Sequence, residues 1–283
     1  MQKILVIGST GKVGQALVQE LARAGEHVRA ATRNPSGLTP SAGLEPILFD
    51  YTNPDTFEAV LDGVNRVFIM EPQPPVDGGA HEFMVQLVEA AVHNKCKIVL
   101  MSSASSEFDD SEPLLKVEAA IKASNRPFGI LRPNWFMDNF HTLWLESILH
   151  AGIVPVPAGT SRSAFVDSRD VASCAAVALR SDNLSGQTFT LTGPESLTYE
   201  MATTILSQVS GRLIRYVPID DASFTQSLLD AGLPVDYANY ITNLFVRTRE
   251  GRAATVTQTV EDLTGQPPRS FLQYAKDHAS EWR

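Results

Sequence analysis

The sequence predicts an α/β fold, a doubly wound parallel sheet with helices on both faces, joined to a smaller C-terminal lobe. Short apolar runs alternate with segments of helical period through residue 133, and glycine, proline and asparagine punctuate the joins. After Pro133 the alternation gives way to helical stretches linked by longer loops, which predicts the lobe.

Lys3-Ile4-Leu5-Val6-Ile7 is an unbroken apolar run, as a parallel strand covered on both faces requires. Val13, Ala16, Leu17, Leu21 and Ala24 then recur at helical spacing, and Gly25 fits the helix end. Val28–Ala31 and Ile47–Phe49 read as strands two and three. Asn53-Pro54 opens a helix whose apolar stripe is Phe57, Val60 and Leu61. Arg66–Met70 is strand four, followed by a helix over 80–93, strand five at Ile98–Met101, a helix over 113–124 and strand six at Phe128–Leu131. Right-handed crossovers favour the strand order 3-2-1-4-5-6. Beyond Pro133, helical stretches fall near 135–150, 170–180, 196–210, 221–231 and 258–264, with strand-like runs at Gln187–Leu191 and Arg215–Pro218.

Composition narrows the function. With 43% hydrophobic and 19% charged residues, the 283-residue chain can bury a substantial core. The net charge of −9 argues against a nucleic-acid partner, which would need a basic face. No apolar run reaches the roughly 18 residues that span a bilayer, and no signal-peptide pattern precedes the first strand. The expectation is therefore a cytoplasmic protein with no membrane partner. Cys96 and Cys174 read as reduced structural thiols, and the six scattered histidines show no metal-ligand spacing, so no metal is expected.

The chemistry-bearing motif is Gly8-Ser9-Thr10-Gly11-Lys12-Val13-Gly14, which follows strand one and opens the first helix. Gly8 permits the tight turn, Gly11 lets backbone approach a pyrophosphate, and Gly14 lets helix and strand pack closely. The helix N-terminus adds N–H groups and partial positive charge. This is a Rossmann-type dinucleotide site. Strand two ends in Ala30-Ala31-Thr32-Arg33-Asn34, with no acid for ribose hydroxyls and with Arg33 placed for a 2′-phosphate, so NADP(H) is preferred over NAD(H). Asp50 can meet the adenine edge or cap its own turn. Met70 and Glu71 face the cofactor at the sheet's carboxyl edge, with Pro72-Gln73-Pro74-Pro75 as a stiff wall beyond. Residues 1–133 with about 155–192 form the expected NAD(P)-binding domain, and 134–154 with 193–283 the substrate-binding lobe.

The phosphate loop, Thr32-Arg33-Asn34-Pro35, the run Leu131–Asn139, Phe165–Ala172 and Leu191–Glu195 together resemble the NmrA-like group of atypical short-chain dehydrogenases/reductases, over nearly the whole chain. That group includes NAD(P)H:quinone reductases, dye reductases, ergot-alkaloid-type dehydrogenases, aromatic ether reductases and non-catalytic redox sensors. The resemblance implies that the backbone of 133–136, Pro133 and Asn134 included, flanks the nicotinamide; Trp135 and Phe136 follow strand six at that mouth, placed either to stack on a flat substrate or to pack as core. It also exposes a departure. No tyrosine is followed four residues later by lysine, and the tyrosine slot is Glu112, four before Lys116. Lys116 is then the candidate for ribose binding and acid assistance. The expected function is hydride transfer from NADPH to a small conjugated acceptor, a quinone, enone, imine or dye. The alternative is an NADP(H) sensor acting through a protein partner. A homodimer is compatible with either.

Overall fold

The computed structural model describes residues 2–41, 43–72 and 80–282. They fall into two compact units, Met1–Pro133 with Ser168–Thr190, and Asn134–Asp167 with Leu191–Arg283.

The first unit opens β1 (Lys3–Val6), α1 (Lys12–Arg23), β2 (His27–Thr32), β3 (Leu44–Leu48), α2 (Asp55–Leu61), β4 (Arg66–Met70), α3 (Ala80–His93), β5 (Lys97–Met101), α4 (Leu114–Ala123) and β6 (Phe128–Pro133). After the excursion through α5 (Leu145–Ala151), β7 (Ile153–Val156) and β8 (Arg162–Ser163), the chain returns as α6 (Ser168–Arg180) and β9 (Gln187–Leu191). The sheet order is β3-β2-β1-β4-β5-β6-β9. This is the predicted order with one strand added beyond β6. The pairs from β3 through β6 are parallel. Gly186 N donates to Phe128 O at one end of β9, and Asn134 N donates to Leu191 O at the other, so this strand runs the same way. Ile4, Leu5 and Val6 are fully buried, as are Val67, Phe68 and Ile69 and Ile98, Val99 and Leu100, because helices cover both faces.

The α-helices between parallel strands run back against them, so helix C-termini gather at the sheet's amino edge and helix N-termini at its carboxyl edge. Cations occupy the first edge. Buried Arg29 donates to the carbonyls of Ala59, Val60 and Asp62 at the end of α2. Arg66 and Lys97 donate to Leu179 O and Ser181 O at the end of α6, and Asp182 pairs with both. Each satisfies an orphan carbonyl and opposes the negative end of a helix. Burial and neighbouring Arg66 hold the Lys97 ammonium below its usual pKa, partly offset by Asp182. The carboxyl edge is left with the positive helix ends, the arrangement an anionic ligand needs.

The second unit contains α5, β7, β8, β10 (Leu197–Thr198), α7 (Tyr199–Ser210), β11 (Arg215–Pro218), α8 (Asp221–Asp230), α9 (Val235–Arg249), α10 (Thr259–Thr264) and α11 (Phe271–Asp277). β7 pairs in parallel with β11, and β8 antiparallel with β10. An aromatic core of Phe140, Trp144, Phe165, Tyr199, Phe245 and Phe271 fills it. Residues 155–167, expected in the dinucleotide-binding domain, belong here. The reason is pairing and packing. β7 is held by β11, and Val166 exchanges backbone bonds with Trp135 and Met137.

Both cysteines are free and buried. Burial pushes the thiols up, to about 11 for Cys96 and about 12 for Cys174, which makes both poor nucleophiles.

Candidate functional site

The loop between β1 and α1 is built by its glycines. Gly8 has φ +71°, and a Cβ there would lie 2.6 Å from Met70 Sδ. A Cβ on Gly14 would lie 2.0 Å from Gly8 O, a clash with backbone that no rotamer relieves. Gly11 is the N-cap of α1 and brings no side chain to cap the helix. Its N–H donates to Gly8 O at 3.0 Å, and its carbonyl accepts from Gln15 N at 2.8 Å. Ser9, Val13 and Gly14 are buried, while Thr10, Gly11 and Lys12 are exposed. The loop therefore anchors its ends and presents its apex beside the first-turn N–H groups.

Other parts of the carboxyl edge are tied to this loop. Ser9 Oγ donates to Ala31 O at 2.8 Å, fixing the loop to β2 two residues before exposed Arg33. Met70, at the end of β4, packs on Gly8. Tyr51 Oη donates to Met70 O at 2.5 Å, and burial raises its phenol above the ordinary range, so it is a fixed donor. Tyr51 was missed by sequence reasoning, since nothing in its local pattern signals a partner 19 residues away.

Several candidates have side chains already engaged. Asp50 lies beyond β3, and its Oδ1 accepts from Thr52 N at 2.9 Å and Thr52 Oγ1 at 2.8 Å. The carboxylate closes its own turn, and the backbone is engaged as well, Asp50 N donating to Thr56 Oγ1 at 3.4 Å and Asp50 O accepting from Asn53 N at 3.1 Å. Glu71 Oε1 stands 3.0 Å from His81 Nε2. Beyond Pro72, the Gln73-Pro74-Pro75 wall lies outside the described residues.

Lys116 is 73% exposed on α4, with Glu82 at 3.8 Å. An ammonium this open to solvent can contact an anionic ligand, but it lacks the desolvated setting of a tuned proton donor. Glu112, in the tyrosine slot, is buried and accepts from Ser105 Oγ. It belongs to a hydroxyl-rich run after β5, in which Ser102 and Ser106 also approach each other at 3.2 Å. The run Ser102-Ser103-Ala104-Ser105-Ser106 is plain in the sequence and is the signal that could have drawn attention to it. Ser102 also donates to Glu118 at 2.7 Å. Glu118 receives a two-point contact from Arg132 at 2.9 and 2.7 Å, so Arg132 serves a structural ion pair.

Pro133 is buried at the end of β6. In the second unit, Asn134 Nδ2 donates to Ala253 O at 2.9 Å and its Oδ1 accepts from Trp135 N at 2.7 Å. Trp135 Nε1 donates to Thr248 Oγ1 at 2.8 Å, and its ring lies 4.7 Å from that of Phe245. α9 thus holds the indole by its N–H and by one ring contact, while Trp135 stays half-buried. Phe136 is half-buried and bridges Val166 through backbone. Spacing predicted no metal site, yet this unit brings donor atoms of His141, His278 and Glu281 within 4.8 Å of one another. No helix among the described residues is long and apolar enough to cross a membrane.

The parallel sheet, its strand order and the glycine-built loop define a Rossmann-type α/β protein. More narrowly, the chain belongs to the NmrA-like family, whose model matches residues 1–265. It is 33% identical over 282 residues to the (4-alkanoyl-5-oxo-2,5-dihydrofuran-3-yl)methyl phosphate reductase of Streptomyces griseus, covering 98% of each chain. It is 30% identical over 282 residues to the prestalk A differentiation protein A of Dictyostelium discoideum, covering 97% of this chain and 91% of that one. Among solved structures, the triphenylmethane reductase of Citrobacter sp. complexed with NADP(H) matches with a TM-score of 0.84 at 23% identity, covering 98% of this chain and 99% of that one.

Proposed function

We propose that the protein is an NAD(P)H-dependent reductase that prefers NADPH and reduces a small conjugated acceptor of the quinone, enone, imine or dye class. The observation that carries this is the loop geometry, in which the bond from Gly11 N to Gly8 O and the close approach of Gly14 to Gly8 O set an exposed apex at the uncapped start of α1. The cradle fits a pyrophosphate. Space is kept free of side chains at Gly8, Gly11 and Gly14, and the helix end offers donors and positive potential.

In this reading Gly8, Ser9, Thr10, Gly11, Lys12, Val13 and Gly14 hold the pyrophosphate, largely through backbone. Arg33 reads the 2′-phosphate, with no carboxylate on Thr32 or Asn34 to repel it. Asp50, Met70, Glu71 and Pro133 form walls, Asn134 adds backbone, and Lys116 contacts the ribose as an exposed cation. When bound, the nicotinamide supplies hydride to the acceptor. The chain's part is to orient it, exclude water and bind the acceptor, with Phe136 as an apolar contact. Solvent supplies the proton, since Glu112 is buried on Ser105 and Lys116 is exposed. The reductase name of the relative at 33% identity supports the reaction class.

A second reading, an NADP(H) sensor without turnover, draws on the same buried Glu112 standing where a proton-relaying tyrosine would be. NADPH oxidation followed at 340 nm against quinones, enones, imines and triarylmethane dyes, with NADH in parallel, separates the two. Turnover on one class, faster with NADPH, is expected. Tight NADP(H) binding without turnover on any class would replace the reductase by the sensor.

A further inference from the structure

We propose that His141, His278 and Glu281 form a site for a divalent transition metal, with Zn2+ the best match, that fastens the C-terminal segment of the second unit. The candidate donor atoms lie within 4.8 Å of one another. Two imidazoles and one carboxylate are a borderline donor set, which selects Zn2+ and its neighbours over the oxygen-preferring Mg2+ and Ca2+. A fourth position is left for water.

The site is assembled by packing that does not depend on metal. Trp282 is fully buried and donates from Nε1 to Ala275 O at 2.9 Å, which folds the end of the chain back on α11. That turn brings Glu281 Oε1 to 2.8 Å from His278 Nδ1. The His278 ring lies 4.6 Å from the ring of His141 and 4.7 Å from that of Tyr274. His141 is buried at the end of a short 3-10 turn, Met137–His141, and its Nδ1 is hydrogen-bonded to Tyr274 Oη. A partner on one ring nitrogen orients the imidazole, as the hydrogen-bond partners of metal-bound histidines do.

Tetrahedral Zn2+ at 2.0–2.2 Å from its ligands sets them about 3.4 Å apart. The gap to be closed is therefore about 1.4 Å at most. The side chains that must move are the less buried ones, Glu281 at 42% and His278 at 24% exposure. The ion takes the place of the His278–Glu281 hydrogen bond and cross-links two segments 137 residues apart in sequence. The sequence conceals this because only His278 and Glu281 are near neighbours.

The test uses the untagged full chain, dialysed against EDTA and then titrated with ZnCl2 and, as a spectroscopic probe, CoCl2. One bound ion per chain, intense visible absorption from Co2+ and a higher thermal midpoint with Zn2+ are expected. His278→Ala and Glu281→Gln alter partly exposed side chains and should leave the fold intact. Loss of a direct ligand in His278→Ala should weaken binding by at least about 100-fold, the upper end of the effect of losing an outer-shell partner. Glu281→Gln should weaken it at least about tenfold. NADPH affinity should be unchanged in both. Failure of the native chain to retain either ion, or Zn2+ affinity unaltered in both variants, would overturn the site.

Discussion

Gly11→Ala separates what the fold requires of the phosphate loop from what a ligand requires. Gly11 has φ −78° and ψ 172°, extended backbone open to any residue. An added Cβ would meet only Gly8 O, at 3.4 Å, so the loop can accept the methyl group almost in place. Stability should change by no more than about 0.5 kcal/mol, as for an unobtrusive surface substitution. A pyrophosphate drawn to the exposed apex would meet the methyl instead of backbone. Losing one charge-assisted hydrogen bond costs about 1.5–3 kcal/mol, which is roughly 10- to 150-fold in Kd. Calorimetric titration with NADP(H), paired with thermal unfolding, reads both quantities. Gly14→Ala is the contrasting variant. Its Cβ would stand 2.0 Å from Gly8 O, so the loop must shift, and overpacking of about 1–3 kcal/mol should lower stability as well as affinity. A stable Gly11→Ala chain with native affinity would show that the pyrophosphate does not lie against Gly11 and would refute the reasoning.

Arg33→Ala should weaken NADPH by about tenfold, since exposure and screening put the lost ion pair at the low end of its range, while NADH binding stays within about twofold. Equal losses for both cofactors, measured by the same titrations, would remove Arg33 as the phosphate reader. Lys116→Ala should raise the KM for NADPH and leave kcat little changed, as expected for a contact that acts through binding rather than proton transfer; a loss confined to kcat would restore the acid role. Glu118→Gln should destabilise the chain by about 3 kcal/mol in urea unfolding, because Arg132 keeps a buried charge without its partner. Burial raises the Glu118 carboxyl, but hydrogen bonds from Arg132, Lys122 and Ser102 outweigh it and hold it below the ordinary 4.5. Its stabilising contribution should be whole above that value and lost as pH falls through the lower folded-state value. The variant should lack this acid-side slope.

The sheet was legible because β1, β4 and β5 are buried on both faces and announce themselves as unbroken apolar runs. The geometry of the Gly8–Gly14 loop was legible because its glycines answer local needs, a positive φ at Gly8 and a backbone contact at Gly14. What escaped depends on distant partners. α9 repeats Ala238, Ile241, Thr242, Phe245 and Thr248 on its buried face, yet its tyrosines, asparagines and β-branched residues mask a helical signal. Residues 155–167 join the second unit because β11, some 60 residues on, pairs with β7. Trp135 follows β6, as an aromatic at a ligand mouth would, and nothing near it reveals that Thr248 and Phe245 hold the ring. Tyr51, Glu118 and the His141–His278 pair are long-range contacts of the same kind.

The most direct test of the central claim is to follow deuterium from NADPH labelled at both C4 positions into the product during turnover with the enones, imines and dyes of the panel, which take the hydride on carbon and keep the label. Transfer of one deuterium to a reduced acceptor, at a rate reduced in Gly11→Ala, is the expected result. NADPH consumption with one of these carbon acceptors and no label in its product, or no consumption with any class of the panel, would contradict hydride transfer as the function of this chain.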